Sequence, residues 1–346
     1  YLWDGKLALL GYDPYRTAPL APGLTALRAE WLPHGVHLEL PTIYPPLAVG
    51  LFALAALGED PATAWLLWKV LVTAASLGTL WLAWRLLAAA GAQRHLALVA
   101  LSPLLVLESG VGAHVDTFAA LAVTAGLLCV VRGRAGGAGA LLGVGAAIKI
   151  LPGAALVPLA ARHADRMRTA IAGGAVVLAI YASSVAIGLV PIGSIAVPFR
   201  AWSFGSPVWT ALEGSLGRAG ALLVGLCGVA AMLGASGWLA RRGRWIAGVQ
   251  LALAAPLVFG PVVFPWYLTS LVPAVALAPR ATLVTWLCLV PLTYEVLVAG
   301  ELRGVWEPAL WPLIGTAAGV ALAAVTSWWR ADLATGRASA APVIRT

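Results

Sequence analysis

Residues 108–116 read ESGVGAHVD and set Glu108, His114 and Asp116 within nine positions, between the apolar runs LSPLLVL and TFAALAVTAGLLCVV. In a bilayer such ionisable groups are costly and mark a functional site by default. Asp116 has a second reading, because an aspartate directly before Thr-Phe-Ala-Ala-Leu is a good N-cap for the helix that follows. Glu108, just inside the apolar run, reads as a hydrogen-bonded buried acid. Other candidates are Asp4 and Asp13 in YLWDGKLALLGYDPYR, Lys149 in GAAIKILPG, and Arg200 in VPFRAWSFG. Asp13 precedes a proline, a pairing that favours turn initiation, so it reads as structural. His34, His37 and Glu39 form H-x-x-H-x-E, which has the residue types of a zinc site. Zinc needs three or four convergent ligands with a supporting shell. In an extended, Pro-flanked loop these three need not converge, and no metal is expected.

The elements that carry these residues belong in a membrane. The 346 residues are 61% hydrophobic and 10% charged, with a mean hydropathy of +0.91. Soluble domains carry roughly 25% charged residues, so this chain cannot cover a soluble surface. The apolar runs are helix-length and lack the alternation of an outer-membrane barrel. The fold class is therefore all-α and polytopic. Cys129, Cys227 and Cys288 lie in apolar runs without a Cys-x-x-Cys pattern and read as small hydrophobes. A net charge of +8 would suggest nucleic acid in a soluble protein. Here its distribution speaks of topology.

Arginines follow many of the apolar runs: Arg85 and Arg94; Arg132 and Arg134; Arg162, Arg166 and Arg168; Arg241, Arg242 and Arg244; Arg280; and Arg330, Arg337 and Arg345. The positive-inside rule places them in the cytoplasm. The spans then fall at residues 63–84, 96–109, 117–131, a short hairpin over 135–161 turning at Lys149–Pro152, 169–190, 219–240, 245–262, 268–279, 282–299 and 309–329. This predicts about eleven transmembrane helices. Residues 1–62 form a long external loop with an interfacial helix at 44–58, residues 63–329 the helical membrane domain, and 330–346 a cytoplasmic tail. Twelve of the 14 carboxylates fall outside or at outer helix ends, with only Asp165 and Asp332 inside. ESGVGAHVD is then an external turn. The first loop exceeds the roughly 12–15 residues of ordinary connections, so it reads as functional.

The first loop carries an acid near its start (YLWDG), then GYDPYR and TIYPPLA. With LSPLLVLESGVGAHVD, the Lys-x-x-Pro element of GAAIKILPGAALVPL and the Pro-Trp-Tyr element of VFPWYLTSLVP, the order resembles the membrane glycosyltransferases of the GT-C class. It is most similar to bacterial glycosyltransferase family 87, the polyprenyl-phosphate-mannose-dependent mannosyltransferases and their relatives. That family has one further helix before the first loop, which the chain, beginning at Tyr1, is expected to lack. The resemblance implies transfer of a sugar, expected to be mannose, from a polyprenyl-phosphate donor to a hydroxyl of a glycolipid or cell-wall glycan. It implies a multi-pass protein of the bacterial inner membrane with its active site outside. Its partners are the donor, the acceptor and membrane lipids; no cofactor and no nucleic acid are expected.

Inverting transfer needs a general base on the acceptor hydroxyl and cations at the departing phosphate. By resemblance Asp4 is the base, with His114 and Asp116 orienting the acceptor or supporting the base. Lys149 and Arg200 are the cations for the donor phosphate, although a lysine at that place can also snorkel to the interface. Tyr44, Trp266 and Tyr267 are pocket walls, or members of an aromatic belt. The rival reading is a transporter or flippase of lipid-linked sugars. It would place ionisable groups near the midplane, where Lys69 and Glu295 are the candidates. No internal repeat of the transporter kind is found.

Overall fold

The computed structural model describes residues 1–32, 37–162, 166–297 and 308–339. Every regular element among them is helical, and the only pairing of extended chain is an isolated parallel bridge between Phe204 and Val262. The chain divides into two compact units, Tyr1–Ala278 and Pro279–Thr346. In the first unit the helices are α1 (Leu2–Leu9), α2 (Thr25–Trp31), α3 (Pro46–Ala55), α4 (Pro61–Ala89), α5 (Ala97–Ala100), α6 (Pro103–Val106) and α7 (Asp116–Val131). There follow α8 (Ala135–Ile148), α9 (Leu156–Ala160), α10 (Arg166–Ala186), α11 (Val197–Ala201), α12 (Pro207–Arg241), α13 (Trp245–Phe259) and α14 (Val272–Leu277). The second unit holds α15 (Ala281–Leu289) and α16 (Trp311–Ser339).

Among the described residues, four helical stretches are long and apolar enough to cross a membrane: Pro61–Ala89, Met167–Ala186, Pro207–Arg241 and Trp311–Trp329. A fifth crossing is available if Gln93–Ala100 and Pro103–Val111, bent by 46°, form one span. The protein is thus an all-helical membrane protein, but the expected count of about eleven spans is not matched by helices of spanning length. The other apolar helices are 10–17 residues long. The reason lies in the breakers. Pro103 starts α6 after an extended Ser102, Lys149 stops α8 in extended conformation, Gly260 ends α13, and Pro291 sits in a tight 3-10 turn. A hydropathy window runs through such breaks, whereas the backbone cannot.

Residues 1–62 fold around two short helices and α3. Gly5 of α1 lies so close to the Phe52 carbonyl of α3 that any Cβ would collide with it. This contact seats α1, and with it Asp4, on the first core, where Ala48, Phe52 and Ala55 are wholly buried with Trp68, Val72, Val115 and Ile148. A second close approach sets α8. Its Gly139 and Gly143 face the backbone of Thr169 and Gly173 in α10, with no room for side chains. Such small-residue crossings are how membrane helices approach closely. Here the crossing fixes the helix whose end carries Lys149.

Candidate active site

The last turn of α8 delivers Lys149 and the first turn of α7 delivers Asp116. Lys149 Nζ donates to Asp116 Oδ2 at 3.3 Å, with side chains 16% and 2% exposed. The expected N-cap does not form: α7 starts at Asp116 itself, without a side-chain cap, and the carboxylate is given to the lysine instead. The ammonium also sits over two phenol rings, 4.4 Å from the centroid of Tyr267 and 5.4 Å from that of Tyr44. A cation held between an acid and two π-faces is fixed in place, with its remaining donors free to meet an anion.

His114 occupies the turn before α7. Its Nδ1 lies 3.0 Å from the Tyr1 hydroxyl, and its Nε2 lies 3.6 Å from Glu108 Oε2. Burial is the main cause that lowers the His114 pKa to about 4, reinforced by the positive charges of Lys149 and Lys69. The imidazole is therefore neutral at physiological pH. It stacks on Trp266 at 4.0 Å, and Trp266 stacks in turn on Phe264 at 4.3 Å. Two rings at that distance must take opposite faces, so Trp266 is an inner wall that offers only its edge to a ligand.

The turn that presents His114 is strained. Residues 107–111 make a π-helical turn, and Ala113 has φ 49°, a left-handed conformation uncommon outside glycine. Two buttresses hold it. Trp68 Nε1 donates to the Ala113 carbonyl at 2.8 Å, and Lys69 Nζ donates to the carbonyls of Gly110 and Val111 at 2.7 and 2.8 Å. Lys69, a midplane candidate in the transport reading, is thus bound to this turn. Glu295, the other such candidate, accepts from the Ala309 backbone N–H at 2.7 Å.

Asp4 reaches the same neighbourhood from α1. Thr42 Oγ1 donates to Asp4 Oδ2 at 2.8 Å and accepts from the Tyr44 N–H at 3.3 Å, so the threonine links the acid to the ring beside Lys149. Burial raises the Asp4 pKa, and the positive amino terminus and then the Thr42 hydrogen bond partly oppose it. No lysine or arginine among the described residues pairs with Asp4. The two acids therefore differ: Asp116 is tied to a lysine, whereas Asp4 is hydrogen-bonded to Thr42 and has no lysine or arginine partner among the described residues. Asp13 does structural work, accepting from Tyr15 N–H at 2.9 Å and Val190 N–H at 3.2 Å.

The structure thus brings Asp4, Tyr44, His114, Asp116, Lys149, Trp266 and Tyr267 into one connected cluster. It does not bring Arg200 there: that residue is exposed on α11 and takes part in none of the side-chain bonds described. The guanidinium that organises its neighbourhood is Arg218, unmarked in the sequence. It donates to Glu213, Ser203 and the carbonyls of Pro198, Phe199 and Trp202. Glu213 and Arg218 are five apart, not a helical pairing, and meet because α12 is kinked at Gly217 (φ 67°). Tyr1, Thr42 and Trp68 were likewise not singled out for chemistry. A threonine that joins two site residues has no local signature. His37 and Glu39 lie 3.6 Å apart and exposed, while His34 lies outside the described residues. No group of three or more His, Cys, Asp or Glu that could hold a metal ion occurs among the described residues.

Neither a curated protein nor a solved structure matches the chain. A family model does match, over residues 42–202, and its description is glycosyltransferase family 87. That segment supplies Thr42, Tyr44, Glu108, His114, Asp116 and Lys149. It supports the family resemblance read from the motifs. Over residues 42–202 this membrane protein is similar to glycosyltransferase family 87.

Proposed function

We propose that the protein transfers a sugar, mannose in the reading the family resemblance favours, from a polyprenyl-phosphate donor to a hydroxyl of a glycolipid or cell-wall glycan. It does so with inversion, at the external face of the bacterial inner membrane. The observation that carries this reading is the division of labour between the two acids. Asp4, raised by burial and paired with no described lysine or arginine, is suited to accept the proton of the acceptor hydroxyl. The acceptor oxygen then bonds to the anomeric carbon from the face opposite the phosphate. The anomeric C–O bond breaks, and its electron pair leaves with the polyprenyl phosphate. Lys149 meets the charge that builds on that phosphate, as a preorganised cation in a buried setting should. Asp116 holds the lysine, and neutral His114 orients the acceptor. Tyr44 and Tyr267 wall the donor sugar, with Trp266 behind His114. Arg200, on its exposed helix, is the second cation for the donor headgroup.

The test is transfer from radiolabelled polyprenyl-phosphate sugars to candidate acceptors, run on wild type and Asp4→Asn. The variant keeps shape and hydrogen bonding but cannot take the proton. Turnover should drop by the ~10²–10⁴-fold of a lost acid–base group, with donor affinity retained. Full turnover in Asp4→Asn and in Asp116→Asn would sink the reading in favour of transport. Arg200→Ala should raise the donor KM; an unchanged KM and kcat would remove Arg200 from the site.

A further inference from the structure

A separate cavity of about 440 Å³ lies between α9 and α12, lined by Val157, Ala160, Leu233, Gly234, Trp238 and Arg241 among others. It shares no residue with the cluster around Asp4 and Lys149. On α12, Leu233, Gly234, Gly237, Trp238 and Arg241 recur at helical spacing and form one face of the helix. The face is graded. Its apolar end holds Leu233, with Val157 of α9 also lining the cavity. Its other end carries Trp238, 54% exposed, and then Arg241, the last residue of α12. Next to them, Arg242 lies over the Trp238 ring at 5.1 Å and Arg162 over the Trp245 ring at 5.3 Å.

Two facts turn this face into a binding groove. A Cβ at Gly234 would meet nothing within 4 Å, so the groove is open space bounded by small residues. Arg241 is exposed and has no carboxylate partner among the described residues. The helix belongs to one of the long apolar stretches of a membrane protein, so what fills an open groove on it is lipid. Tryptophan marks the headgroup level, and arginines between membrane helices at that level hold anionic headgroups. We infer that this groove is a binding site for an anionic phospholipid, with an acyl chain along Val157, Leu233 and Gly234 and the phosphate at Arg241. The site is independent of the glycosyl-transfer reading and rests on the membrane class alone.

The test uses the purified full chain in detergent, titrated by native mass spectrometry with phosphatidylglycerol and with phosphatidylcholine of the same acyl chains. Wild type should prefer phosphatidylglycerol by at least about fivefold, the order contributed by one arginine near an anionic headgroup. Arg241→Gln should abolish that preference and leave phosphatidylcholine binding unchanged. Gly234→Leu points into empty space, so the fold tolerates it, but it fills the groove and should lower binding of both lipids. Gly174→Leu, at an equally open and exposed glycine of α10, should change neither. Equal binding of the two lipids by wild type, or unchanged binding in Gly234→Leu, overturns the proposal. So does displacement of phosphatidylglycerol by inorganic phosphate at equal concentration, which would reveal an anion site without a groove. Displacement by equimolar polyprenyl phosphate would overturn it in favour of an isoprenoid occupant.

Discussion

Lys149 and Asp116 are 33 residues apart in sequence and meet at 3.3 Å, joining the end of α8 to the start of α7 over a wholly buried layer of Val115 and Ile148. Taking one partner from a buried pair leaves an uncompensated charge and costs about 3–5 kcal/mol, whereas replacing both is often nearly neutral. Lys149→Met and Asp116→Asn should therefore each lower the melting temperature, and the double variant should recover most of it. Transfer activity should not recover in the double variant, because the cation for the donor phosphate is still missing. Recovery of both, measured by thermal unfolding and transfer on the same preparations, would make the pair structural only.

Thr42 acts through Asp4 and has a signature in pH. Its hydroxyl stabilises the ionised carboxylate, so Thr42→Val should raise the Asp4 pKa further. A base that is protonated at higher pH moves the acid limb of the kcat/KM profile upward. A hydrogen bond to a charged group is worth about 1.5–3 kcal/mol, so the limb should move by about one to two pH units. Thr42→Ser, which keeps the donor, should restore the wild-type profile. An unshifted acid limb in Thr42→Val would remove Asp4 as the base.

His114 predicts a pH dependence of stability. Its pKa is about 4 in the folded protein, against an ordinary histidine value of 6.5. Between those values the unfolded chain binds more protons, so stability is full above about pH 6.5 and falls as pH drops toward 4. His114→Gln should flatten that part of the melting-temperature profile, corrected for the carboxylates by comparison with wild type. A His114→Gln profile that falls as steeply as wild type between pH 6.5 and 5 would contradict the buried neutral imidazole.

Topology can be read by labelling single cysteines, after Cys129, Cys227 and Cys288 are replaced. Gln93 and Gly136 lie beside arginine clusters and should label from the cytoplasm only. Val111, 74% exposed in the turn beside His114, should label from outside. Ala113 is unsuitable, being 4% exposed. Labelling of Val111 only from the cytoplasm would place the Lys149–Asp116 layer on the inner face and overturn the external site.

Composition alone required a helical membrane protein, because so few charges cannot cover a soluble surface. The order of YLWDG, TIYPP, HVD and KILP was legible as a family resemblance, because motifs are local strings that survive without coordinates. Span number was less legible, since hydropathy is summed over windows while proline and glycine stop helices at single residues such as Pro103 and Gly260. The partners of the candidate residues were not legible at all. Asp116 looked like a cap for its own helix, a role its local sequence supports. Only the glycine-lined crossing of α8 and α10 brings Lys149 within reach, and a buried carboxylate prefers a full positive charge to a backbone N–H. In the same way, nothing local sets Thr42 against Asp4 or Tyr1 against His114. Those contacts exist because Gly5 allows α1 to lie directly on α3. Sequence thus determined the kinds of groups available and the medium they sit in. Tertiary packing decided which acid is paired with a lysine and which is only hydrogen-bonded to a threonine.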